Sequence, residues 1–311
     1  MLGLERHPPY SRSLLNEAVQ LDEAPPALKE PRRPSLADWR VTLLLGVLTL
    51  LYAGVAHRLV QQWNKDPNFS YGYFVPLFSL FVLWENRKRL AVLTVEPAWS
   101  GLTLLLAGLG ILTVGVMGAE LFLTRVSFLF VVAGLTALLW GWNHVRAALF
   151  PLCFLLLMIP IPDLIFNQLT SPLQRVASIL ASGLISSVHI PVLREGNILE
   201  LPKRSLEVAE ACSGIRSLMS LTTLSIIYGY LTETRTWMRL ILALSSLPIA
   251  VIANSVRIFI TGVIVQYWDP SKAEGPFHEF QGVAIFILVG LLLLFLMHRL
   301  LEARFGRSAQ A

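Results

Sequence analysis

Charge is what this chain has least of. Asp, Glu, Lys and Arg make up 14% of its 311 residues, whereas a soluble domain carries roughly 25% to cover its surface. The shortage is also uneven. Residues 1–40 hold 12 of the 45 charged side chains and 6 of the 18 prolines, which leaves 33 charges for the other 271 residues. With 55% hydrophobic residues and a mean hydropathy of +0.63, this excludes a pair of soluble globules, the ordinary reading of such a length. Cysteine is nearly absent too: Cys153 and Cys212 allow at most one bridge and exclude a four-cysteine zinc site. No apolar core precedes residue 40, so the first spanning helix is expected to double as the insertion signal. The net charge of +5 comes without a basic and aromatic patch, which speaks against nucleic acid as a partner. No internal repeat supports an inverted-repeat transporter. No metal or nucleotide motif stands out, so no metal and no cofactor is expected.

What is present is a series of apolar runs. Stretches free of Asp, Glu, Lys and Arg cover 41–57, 67–84, 97–119, 126–145, 147–162, 217–232, 240–256 and 280–297. A helix needs about 20 mostly apolar residues to cross the hydrocarbon core. The fold class expected is therefore an all-α polytopic membrane protein with about eight transmembrane helices. Residues 1–40, with Pro25-Pro26 and the prolines at 31 and 34, read as a disordered cytoplasmic tail. The transmembrane domain covers 41–298, and 299–311 form a basic cytoplasmic tail.

Connecting segments give the orientation. Arg87, Lys88 and Arg89, then Arg146, then Arg235 and Arg239, and finally Arg299, Arg304 and Arg307 fall on one side. The opposite loops carry Lys65, Arg125 and Lys272, balanced by Asp66, Glu120, Asp269 and Glu274. This positive-inside asymmetry places both termini in the cytoplasm. Residues 163–209 interrupt the pattern on the outer side, between spans five and six. Asp163 to Val188 mixes Asn167, Gln168, Pro172, Gln174 and Arg175 with apolar residues, which suits an interfacial or re-entrant helix better than a ninth span. Val192 to Leu201 then alternates about Glu195-Gly196-Asn197, and a second alternating stretch follows Pro202-Lys203-Arg204 and runs to Ala209. A small extracytoplasmic β-hairpin or meander is expected there.

Three places combine an apolar setting with reactive or ionisable groups. In the run 210–218, Cys212 opens the sixth span and Arg216 lies one turn deeper on the same face. A guanidinium or a helix N-terminus lowers a thiol's pKa and makes the nucleophilic thiolate. Cys153, in mid-span without a charged neighbour, reads as an ordinary buried cysteine. Arg257 is the only charge between Leu240 and Trp268, with Asn254 one turn away. An arginine so deep costs several kcal/mol or more, so it faces a cavity or a partner, or else snorkels. His278 opens the last span and is suited to titrate near neutral pH. His57, His144, His189 and His298 read as plain polar or packing residues. In the orientation above, the thiol, imidazole and guanidinium lie toward the same outer face. They are the set that thiol acyl transfer needs: nucleophile, acid/base and oxyanion cation. An unbroken seventh helix puts Arg257 about 13 Å below Gln266. Either that helix ends near Gly262, or Cys212 and His278 lie at the floor of a sunken cavity.

At these motifs the sequence resembles the exosortase family, multi-pass membrane cysteine transpeptidases of bacteria related to the archaeosortases. The matching strings are NFSYGYFVPLFSLFVLW (68–84), MIPIPDLIF with SPLQRVAS (158–178) and REGNILELP (194–202). VAEACSGIRSL (208–218), LPIAVIANSVRI (247–258) and HEFQG (278–282) complete the set in family order. One departure is Tyr71, where the family commonly has His. The resemblance maps the family's cysteine, histidine and arginine onto Cys212, His278 and Arg257, which fits their reading as nucleophile, general acid/base and oxyanion stabiliser. As basic or polar groups suited to meet the acidic groups of a sorting motif, Arg216, Asn254 and Arg194 are expected to bind substrate. The resemblance also implies exported protein partners bearing a Pro-Glu-Pro motif, a transmembrane helix and a basic tail, and a link to exopolysaccharide or biofilm-matrix export. Its expected place is the bacterial inner membrane, with the site facing the periplasm. A transporter or channel built on Arg257, or a non-catalytic scaffold of a polysaccharide-export complex, is the alternative. The sequence leaves the oligomeric state open.

Overall fold

The structure is a computed structural model and describes residues 39–207, 214–268 and 275–305. The described residues form eleven α-helices and one small sheet. In chain order the helices are α1 (Trp39–Lys65), α2 (Phe74–Glu85), α3 (Arg87–Val92), α4 (Ser100–Met117), α5 (Leu121–Trp140) and α6 (Trp142–Ala147). Then come α7 (Leu149–Phe154), α8 (Asp163–Ser187), α9 (Gly214–Thr232), α10 (Thr236–Tyr267) and α11 (Gly275–Phe305). Five are long and apolar enough to cross a membrane: α1, α4, α5, α10 and the Ala284–Phe305 part of α11. The other apolar runs are helical but shorter or broken. Residues 67–84 divide into a 3-10 segment, Pro67–Tyr73, and the 12-residue α2. The run 147–162 divides into α7 and a second 3-10 segment, Leu155–Met158, and Pro160 and Pro162 stop it by removing N–H donors.

The helix expected at 126–145 begins earlier, at Leu121, because the Glu120 carboxylate accepts the N–H groups of Phe122 and Leu123. It ends at Gly141, whose φ of +94° suits glycine. Arg125, expected in a loop, is therefore inside α5 and buried, with Nη2 donating to Gln62 Oε1 at 2.7 Å.

The hairpin α4–α5 shows why small residues matter in lipid. With no solvent to drive helices together, close backbone approach and dispersion do the work. Gly101, Gly108 and Gly115 recur every seven residues along α4. A Cβ at each would meet the backbone nitrogens of Leu138, Val131 and Thr124 at 2.5–2.9 Å.

The C-terminal half is built around α10. Its buried residues, including Leu242, Ile249, Ala253, Arg257, Ile258 and Val265, occupy a broad stripe. Leu221 of α9 and Phe286, Leu294 and Leu301 of α11 pack on one part of that stripe. Another part, at Ile258 and Val265, is covered by Ala177, Ala181 and Ile185 of α8 and by the sheet. The sheet is an antiparallel meander of β1 (Leu193–Glu195), β2 (Ile198–Glu200) and β3 (Ser205–Glu207), with Glu195 opposite Ile198 and Leu199 opposite Leu206. The alternation expected from the sequence is realised. Leu199 and Leu206 point into the core, while Ile198 and Glu200 are exposed. Gly196, at φ +63°, opens the two-residue turn between β1 and β2.

Candidate active site

Helix α8 sets the site's roof. It is not among the five spanning candidates, and it exposes Leu164, Ile165, Val176, Ile179 and Leu180 while burying Ala177, Ser178, Ala181 and Ile185. A helix with one face in protein and a second apolar face uncovered fits the membrane interface. The meander is tied to it by Ser178 Oγ, which donates to Gly196 O at 3.2 Å, and by Asn197 Nδ2, which donates to Gln174 Oε1 at 3.4 Å.

Beneath α8 runs α10, which does not end near Gly262 but continues as helix to Tyr267. At 1.5 Å per residue, Arg257 lies about 15 Å before that end. Arg257 is 6% exposed and Asn254, one turn earlier, is 4% exposed. The Oδ1 of Asn254 accepts no hydrogen bond from any described residue. Beside it is a crevice of about 20 Å3, lined by Thr170, Leu173, Gln174 and Ala177 of α8, Leu218 of α9, and Ala250, Val251 and Asn254 of α10. That is room for about one water. An amide oxygen without a partner among the described residues, next to a crevice with a glutamine and a threonine in its wall, is suited to accept a hydrogen bond from a single small donor.

The three sequence-predicted catalytic residues are placed unequally. Arg257 is in the buried stripe of α10, next to Ile258, where α8 and the sheet close over that helix. Cys212 lies outside the described residues, two positions before α9 in the sequence. His278 is the fourth residue of α11, and Arg216 the third of α9; the side chains described do not include these two. Of the other predicted binding residues, Asn254 joins the crevice. Arg194 is on the exposed strand β1, where its Nη1 donates to Gly196 O at 2.9 Å. That bond engages the guanidinium within its own hairpin. Tyr71 is buried among Trp63, Phe69, Val75 and Phe154, a packing role.

The family model of the transmembrane exosortases matches residues 63–295, most of the chain. The protein belongs to the exosortase family. No curated protein and no solved structure matches it. The match includes α8, the meander, α9 and α10, together with positions 212 and 278.

Sequence reasoning missed that α8 of this exosortase walls the crevice beside Asn254. Thr170 and Gln174 wall the crevice with Asn254, and nothing in the sequence singles them out from the other polar residues of α8. A separate cluster lies on α9, α11 and the connection after α9. His298 Nδ1 is 2.7 Å from the Tyr228 hydroxyl, and its Nε2 is 3.0 Å from Glu233 and 3.6 Å from Glu302. Ligand atoms of Glu233, His298 and Glu302 lie within 4.8 Å of one another, close enough for a metal ion. Both ring nitrogens already have protein partners, so the arrangement also serves as a hydrogen-bonded tie between helices.

Proposed function

We propose that this exosortase is a cysteine transpeptidase that cuts the C-terminal sorting signal of exported proteins at the outer face of the bacterial inner membrane. Membership of the family carries the reaction class. The observation that carries the site is the buried Asn254–Arg257 face of α10, beside a crevice that α8 and α9 complete. Helix α9 begins two residues after Cys212, and α11 begins three residues before His278.

In this mechanism the Cys212 thiolate attacks the scissile carbonyl carbon and a tetrahedral oxyanion forms. Arg257 stabilises that oxygen, because a guanidinium aimed at developing charge in a low-dielectric site lowers the barrier. The carbon–nitrogen bond then breaks, and His278 gives its proton to the departing amine. The thioester left on Cys212 passes its acyl group to an amine or to water. Since α10 runs unbroken past Arg257, this chemistry belongs in a sunken site under α8 and the meander rather than at the helix end.

The substrate's own transmembrane helix holds the cleavage site at the membrane surface, which raises its effective molarity. Its motif is Pro-Glu-Pro, followed by that helix and a basic tail, and the partner system is exopolysaccharide or biofilm-matrix export. Arg216 and Asn254 bind the motif. Arg194 is less suited, being engaged on its own turn.

The test is Cys212→Ala and Cys212→Ser in a host producing a tagged substrate. Processing is expected to stop in both, and the mass of the wild-type product's new C-terminus identifies the cut and any acceptor. Processing at the normal site in Cys212→Ala would refute the nucleophile assignment.

A further inference from the structure

A cavity of about 900 Å3 lies in the N-terminal half, between α1, α2, α5 and the α6–α7 segment. It shares no lining residue with the crevice beside Asn254. Its walls are mostly apolar: Val55, Leu59, Leu80, Phe128, Val132 and Leu152 are typical. Trp63 and Arg125 line one end, and α2 and α5 run from there toward Arg87 and His144 at the other. Along α5 the lining extends from Arg125 to Trp140, fifteen residues or about 22 Å. One leaflet of hydrocarbon is about 15 Å deep, half of a core of about 30 Å. The cavity is therefore longer than one leaflet is deep.

Arg125 gives the ligand's chemistry. It is 3% exposed, and a guanidinium has five N–H donors in a planar fork. Among the described residues it makes one hydrogen bond, to the neutral Gln62 amide, and no salt bridge. Glu120, five residues earlier, is the acidic side chain that acts on it electrostatically, but that carboxylate is engaged by the N–H groups of Phe122 and Leu123. A buried cation is strongly disfavoured without a directly paired counter-charge, and phosphate matches the guanidinium fork in two parallel bonds.

We propose that this cavity binds an anionic phospholipid, with its phosphate on Arg125 and its acyl chains lying between α1, α2 and α5. Charge argues against a protein helix as occupant. A helix with a basic cytoplasmic tail would bring like charge to Arg87.

The test uses the full chain in phosphatidylcholine vesicles. A minor fraction of phosphatidylglycerol carries a photoactivatable group in mid-chain. Cross-links are expected on peptides containing Phe128, Val132 or Leu152. Their yield should exceed that from equally tagged phosphatidylcholine about tenfold, because the choline ammonium already offsets the phosphate charge that Arg125 would otherwise meet unopposed. Arg125→Gln is expected to abolish the preference. Val132→Trp, which fills the cavity, is expected to abolish the internal cross-links while leaving those on outward-facing Leu106 and Leu244. Equal labelling by the two lipids, labelling confined to the outward residues, or internal cross-links that persist in Val132→Trp would each overturn the proposal. So would a tagged hydrophobic peptide helix that labels Phe128 and Val132 and resists displacement by phosphatidylglycerol. The comparison of lipids in the unaltered protein decides even if a variant fails to fold.

Discussion

Asn254 and Arg257 lie one turn apart on the same buried stripe of α10, and their substitutions separate function from stability. The Asn254 Oδ1 accepts no hydrogen bond from a described residue, so Asn254→Ala removes no bond known to hold the fold. Its melting temperature in detergent is expected to change by no more than a few degrees, about 1 kcal/mol, while substrate processing falls about tenfold. Loss of folded protein in this variant would make Asn254 a structural residue. Arg257→Gln keeps the bulk and loses the charge. Processing is expected to fall about 100-fold or more at equal protein abundance, the size of effect seen when an oxyanion donor is removed. The two buried arginines were not equally legible. Arg257 is conspicuous as a lone charge in an apolar run. Arg125 stands near Glu120 and before an uncharged stretch, so it reads as a loop residue until the N-cap at Glu120 draws it into α5.

The elements show the same division. The meander was readable because alternation is a property of neighbouring residues, and Gly196-Asn197 marks its turn. Helix α8 was readable as a helix apart from the spans from its mixed composition, yet its packing on Ile258 and Val265 of α10 was not. In α4, three glycines seven residues apart look like weak helix formers until α5 is seen against them. Gly108→Leu places a side chain where the Val131 backbone and Phe130 already lie. It is expected to lower stability by about 3 kcal/mol or more, as overpacking does, and thermal unfolding in detergent measures it. Gly110→Ala, which meets no atom within 4 Å, is the control and is expected to be neutral or slightly stabilising. Equal losses in both variants would mean that the α4–α5 contact is not set by glycine.

At the scale of the whole molecule, the proposed orientation has both ends in the cytoplasm and the α8–meander unit outside. Alkaline phosphatase fused before Trp39 or after Phe305 is expected to be inactive, and active when inserted in the turn at Lys203, since that enzyme works only after export. Activity at either end would reverse the topology and move the site to the other face. Hydropathy by itself determined that this is a polytopic helical membrane protein, where its apolar segments lie, and which motifs appear in which order. Those follow from the cost of placing each residue's polar groups in hydrocarbon, a cost counted locally along the chain. Only the tertiary structure decided that 147–162 breaks into short pieces, that α10 runs on past Gly262, that Gln174 shares a crevice with Asn254, and that Arg125 closes one end of an apolar cavity. Such features depend on which distant helices press together. Dispersion and steric fit between segments far apart in sequence settle that, and local composition does not record it.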